Sequence, residues 1–146
     1  MYSVGIQAQL SQASNPFLKN GEKVIFDTIL EKVGCGCSHS CDCCCDIHYR
    51  KNSGEFVIEK CGSFLVNWSV AIEGSDLTPY IRFALQVDNE KIYGASVIPI
   101  SVGLVSGSSL VALKHPNTTI SLINNTGDIV RLANVWPIAN IVIMRV

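Results

Sequence analysis

From residue 21 onward, apolar and polar side chains alternate with a period of two. Over 64–73, Phe64, Val66, Trp68, Val70 and Ile72 fall on one face and Leu65, Asn67, Ser69, Ala71 and Glu73 on the other, the pattern of a half-buried strand. A second run sets Ile81, Phe83, Leu85 and Val87 against Arg82, Ala84, Gln86 and Asp88. It ends in the turn-prone pair Asp88-Asn89, after which Ile92 and Tyr93 begin a returning strand. Shorter strands are predicted at 24–30, 56–59, 110–114, 119–123, 129–132 and 139–146. Asn52-Ser53-Gly54, Cys61-Gly62, His115-Pro116-Asn117 and Asn124-Asn125-Thr126-Gly127 separate them. No segment shows a convincing helical period. Many short strands at near-regular spacing predict an all-β, two-sheet antiparallel sandwich of the jelly-roll type.

Two regions depart from simple alternation. Residues 1–18 carry no charged side chain and mix Ser, Gln, Asn and Ala with isolated apolar residues, among them Val4, Ile6 and Leu10. They are read as an extended arm, with 1–20 a connector to a neighbouring subunit and 21–146 the domain proper. At the other end, Ile138, Val142, Met144 and Val146 alternate with Ala139, Ile141 and Ile143, so both faces of the last strand are apolar. A sandwich covers one face of a strand, which makes the other a candidate subunit interface.

Composition sharpens that expectation. The chain of 146 residues is 48% hydrophobic and 16% charged, with a net charge of −1, against about a quarter charged in an ordinary soluble domain. Eleven basic residues against twelve acidic ones, without clustering, give no electrostatic footprint for nucleic acid or an anionic membrane. The uncharged stretch 92–113 is long enough to span a bilayer, but it contains Pro99, Gly94, Gly103 and Gly107 in a strand-like rhythm and predicts no transmembrane helix. The first residues lack the pattern of a secretory signal. The elbow, metalloprotease and phosphate-loop motifs of common enzymes are missing, so no catalytic role is expected. His115 is read as an exposed turn residue, Gly103 and Gly107 as turns or bulges, and Trp68 as core.

Six of the seven cysteines, Cys35, Cys37, Cys41, Cys43, Cys44 and Cys45, fall in one short segment, with Cys61 further on. The predicted topology puts the cluster in a surface loop at about 34–49. Disulfide cross-linking is the preferred chemistry. Bridged cysteines need Cα atoms roughly 4.4–6.8 Å apart, which neighbours in sequence meet only with strain, so most must find partners elsewhere. An odd total favours bridges between assemblies or a residual thiol. The alternative is a thiolate site for Zn(II) or Cu(I) with His39 and His48, although the spacing is not that of a zinc finger. No cofactor is required by the rest of the chain.

The order of features resembles a family. Gly54-Glu55-Phe56-Val57-Ile58 followed by Gly62-Ser63-Phe64-Leu65-Val66-Asn67-Trp68 is similar to the paired signatures of complement-type globular heads, relatives of the tumour necrosis factor jelly roll. Phe83 to Asp88, Gly107 to Leu110, Ile120 to Gly127 and Ala139 to Ile143 resemble the C-terminal domain of bacterial collagen-like glycoproteins of the spore surface. The resemblance spans about 21–146 without the cysteine-rich insert, and no collagen repeat precedes it.

It implies a ten-stranded jelly roll, a homotrimer with its terminal strands near the threefold axis, and a place on the spore exosporium or outside the cell. Trp136, Ile138, Ala139, Ile141 and Ile143 are then assigned to the trimer contact. The resulting expectation is a self-assembling structural subunit joined by its arm and its cysteines. A metal-thiolate protein, or a head that binds a carbohydrate or host ligand, is the alternative.

Overall fold

The computed structural model describes residues 4–34, 46–75, 80–98 and 103–146. Twelve strands fill them: β1 (Gly5–Leu10), β2 (Phe17–Leu18), β3 (Thr28–Val33), β4 (Ile47–Arg50), β5 (Glu55–Ile58), β6 (Gly62–Gly74), β7 (Ile81–Val87), β8 (Lys91–Ile98), β9 (Gly103–Leu113), β10 (Thr118–Asn124), β11 (Val130–Leu132) and β12 (Ala139–Arg145). One sheet has seven strands in the order β2-β11-β6-β12-β1-β3, with β9 on the other side of β6; the second runs β4-β5-β10-β7-β8. Every pairing is antiparallel. The count exceeds ten partly because β2 and β11, two and three residues long, pair with each other at one end.

The thirteen-residue β6 organises the larger sheet. Its inward residues Phe64, Val66, Trp68, Val70 and Ile72 are all buried, as the alternation predicts, and face Phe56, Phe83, Leu85, Ile120 and Leu122 within one core cluster. Full burial of such a side chain stabilises by about 1.5–3 kcal/mol, so this stripe is a main source of the fold's stability. Gly107 lies opposite Trp68, where a Cβ would sit 2.6 Å from the indole Cζ2. Gly107 is therefore a strand residue whose missing side chain admits the indole, not the turn or bulge expected. Gly103 likewise belongs to β9.

The N-terminal arm is corrected outright. β1 lies between β12 and β3, in register from Gly5↔Met144 to Leu10↔Ala139, and Val4, Ile6 and Leu10 are buried in the core. The alternation of Ile6, Ala8 and Leu10 with Gln7 and Gln9 is a strand pattern, and two strands hydrogen-bond to it. Residues 4–18 therefore belong to the domain, and the boundary expected at 21 does not exist. The predicted strand at 24–30 is displaced as well. Val24 and Phe26 fill the core from an irregular stretch, and the paired strand β3 starts at Thr28.

Candidate functional site

On β12, the structure reverses the expected faces. Ile141 and Ile143 are fully buried, Ala139 and Ile138 nearly so, because Ile141 pairs with Trp68 and Ile143 with Val66 on the inward side of the sheet. A second chain cannot reach these residues, so Ile138, Ala139, Ile141 and Ile143 are core and not a subunit contact. The outward face of the same strand carries Asn140, Val142 and Met144.

That outward face is ordered in rows. Leu110 pairs with Leu65, Leu65 with Met144, Met144 with Gly5, and Gly5 with Val33, giving one apolar row across β9, β6, β12, β1 and β3. The next rows are mainly polar: Ser108, Asn67, Val142 and Gln7, then Ser106, Ser69, Asn140 and Gln9. Within them Gln7 Nε2 donates to Asn140 Oδ1 at 3.2 Å. A further apolar pair, Leu104 and Ala71, follows. Leu110 is 65% exposed and Leu104 59%. Across β9, β12, β1 and Ser63 to Ala71 of β6, no outward side chain is charged.

The cysteine segment, Cys35, Cys37, Cys41, Cys43, Cys44 and Cys45, lies outside the described residues, as does His39. Its anchors are described. The chain leaves β3 of the larger sheet and re-enters at Asp46 before β4 of the smaller one. Arg145 ties that point down: its Nη1 donates to Asp46 Oδ2 at 3.2 Å and its Nη2 to the Cys61 carbonyl at 3.1 Å. Lys60 adds an ion pair to Asp46 at 3.2 Å, and Glu59 N donates to its carbonyl at 2.8 Å. Cys61 is an exposed free thiol on the same rim. His48 does not belong to a loop; it lies in β4, with Nε2 3.1 Å from Glu59 Oε1.

Trp136 sits at the opposite end of the sandwich, between β11 and β12, and is 72% exposed. It borders a groove of about 580 Å³ shared with Gln12, Glu73, Arg131 and Asn134. Arg131 Nε lies 3.2 Å from Glu73 Oε2, and its guanidinium covers the Phe17 ring at 5.7 Å. Asp27 fixes the adjoining turn by accepting from Ser11 N (3.0 Å), Ser11 Oγ (2.7 Å) and Gln12 N (3.2 Å). Partial burial raises the pKa of this carboxyl, but the hydrogen bonds from Ser11, Gln12 and Thr28 outweigh that and leave it below its ordinary value.

Asn67, Asn117 and Asn124 each open an Asn-x-Ser/Thr triplet, the pattern of an N-glycosylation site; Asn124 is wholly buried and donates to the Leu18 and Asp128 carbonyls, so it is structural. Trp136, expected at the trimer contact, is exposed on the rim of this groove. Glu73, Arg131 and Gln12 come from three distant segments, and no local pattern joins them.

No protein-family model and no curated protein matches the sequence. Solved structures do match the fold. The globular domain of zebrafish complement 1qA protein superposes with a TM-score of 0.62 at 13% identity, over 97% of this chain and 94% of its own. Murine APRIL gives 0.69 at 8% identity over 99% of both chains. Eiger TNF from S. frugiperda gives 0.68 at 11% identity over 100% of this chain and 94% of its own. The chain thus has the antiparallel jelly roll of complement heads and TNF-like proteins. No helix among the described residues is long and apolar enough to cross a membrane.

Proposed function

We propose that the protein is a non-enzymatic structural subunit that self-assembles as a homotrimer through the outward face of its larger sheet. Its place is the spore exosporium or a surface appendage, and its cysteine segment cross-links the assembled trimers. The observation that carries this reading is the uncharged face with its Leu110-Leu65-Met144 row. A surface of this kind is stable in water when another protein surface covers it. The likeness to complement heads and TNF-like proteins and the family resemblance in the sequence support the trimer, and the resemblance supports the spore surface. Arg145, by holding Asp46 beside the Cys61 carbonyl, keeps Cys61 on the rim where the cysteine segment rejoins the fold, which suits linkage at that end.

Native mass measurement of the full chain, untreated, reduced and chelated, tests both parts. The expected result is a trimer in all three samples, with larger covalent species lost on reduction alone. A monomer in every sample overturns the self-assembly reading. Release of stoichiometric zinc or copper on chelation, with no covalent species, replaces cross-linking by the metal-thiolate alternative.

A further inference from the structure

Trp136 exposes an indole at 72%, the highest value among the large apolar side chains described. Beside it, the groove of about 580 Å³ falls within the roughly 300–1,000 Å³ typical of small-ligand sites. Its other wall is polar. In the Arg131–Glu73 pair only Nε of the guanidinium is engaged, and of its five N–H donors the terminal ones have no hydrogen-bond partner among the described residues. The Gln12 side chain likewise has no hydrogen-bond partner among them, and Asn134 N approaches Glu73 Oε1 at 3.5 Å.

We propose that this groove binds a neutral oligosaccharide, a reading that goes beyond self-assembly and does not depend on it. A pyranose ring presents a flat, C–H-lined face and an equator of hydroxyls. The first packs on an electron-rich aromatic face such as that of Trp136. The second needs fixed donors and acceptors side by side, which Arg131, Glu73 and Gln12 provide. Because the two charges are paired, the groove favours neither an anion nor a cation. Its half-polar lining is also unsuited to an apolar peptide anchor, which would desolvate the Arg131–Glu73 pair and leave the terminal guanidinium N–H groups without acceptors. Arg131 and Glu73 also line a second groove of about 540 Å³ with Phe17, Ser75 and Asp128, so binding extends past one sugar ring and oligomers bind more tightly than monosaccharides.

Calorimetric titration of the full chain with maltotriose, cellotriose, chitotriose and mannotriose tests the site. Saturable binding of at least one is expected, with a Kd of about 0.1–1 mM. Trp136→Ala should weaken it about tenfold, Glu73→Gln should weaken it several-fold, and Trp136→Phe should keep most of it; all three variants should retain the native mass. No saturable heat from any of the four sugars overturns the proposal. So does a Trp136→Ala variant that binds as before, or one whose assembly falls apart, since the indole would then be an interface between copies.

Discussion

On the outward side of the smaller sheet, Lys23 and Arg50 both pair with Glu55 at 3.7 Å, and His48 pairs with Glu59. On the outward side of the larger sheet, from β9 across β6 and β12 to β1, the same positions hold Ser, Asn, Gln, Leu, Met and Val. The two faces belong to one sandwich and cover one core, so stability alone does not explain why charge on the larger sheet is confined to its margins, at Glu31 on β3 and at Glu73 and Arg131. Charges keep a surface solvated and discourage edge-to-edge or face-to-face association. Their absence from one face, together with exposed Leu104 and Leu110, separates a charged, solvated face from the uncharged one proposed for assembly.

The largest expected effect comes from erasing that difference. Placing lysine at Leu65 and Leu110 together puts two charges per protomer into the proposed contact, at a cost of several kcal/mol each if they are buried unpaired. Light scattering should show monomers with an unchanged circular dichroism spectrum. Arg50→Ala on the charged face, by contrast, should change stability by less than about 1 kcal/mol and leave the mass alone. Equal effects of the two changes would remove the distinction between the faces.

A smaller change sharpens the contrast within one strand. Ile141→Ala should cost about 2–5 kcal/mol in urea unfolding through the cavity it leaves. Met144→Ala should act mainly through the concentration at which the assembly dissociates.

The smallest effect belongs to neither face but to the groove rim. Asp27 is held below its ordinary value of 3.8 in the folded chain, so the unfolded chain binds more protons in the acid range. Its contribution is present above about pH 4 and is lost as the pH falls through the folded value. Asp27→Asn should therefore lower the urea midpoint modestly at neutral pH and close the gap to the wild type in acid.

Much of this was legible in the residue pattern where one face was apolar and the other polar. β6 and β7 are such strands, and their inward residues are the ones buried. On β12 both faces are apolar, so alternation cannot say which one points in; the pairing of Ile141 with Trp68 decides it. β1 is illegible in the sequence for a different reason. Its outward Gln7 and Gln9 and small Ala8 give a weak contrast, and its partners, β12 and β3, lie far away or across an irregular stretch in sequence. The groove is not legible in the sequence: Trp136 reads there as a trimer-contact residue, and Gln12, Glu73 and Arg131 meet through sheet topology, not local spacing. The cysteine segment is conspicuous in sequence and lies outside the described residues.

β6 writes two messages on one strand, in odd and even positions: a core in Phe64, Val66, Trp68, Val70 and Ile72, and an uncharged outer face, the one proposed for assembly, in Ser63, Leu65, Asn67, Ser69 and Ala71. Such a strand has a reading frame of two. Losing or gaining one residue at its centre would exchange the messages over half its length, sending serine and asparagine inward and tryptophan or valine outward. Point substitutions can drift on the outer face, but length cannot, so β6 is the part of the chain where relatives should differ in letters and never in spacing.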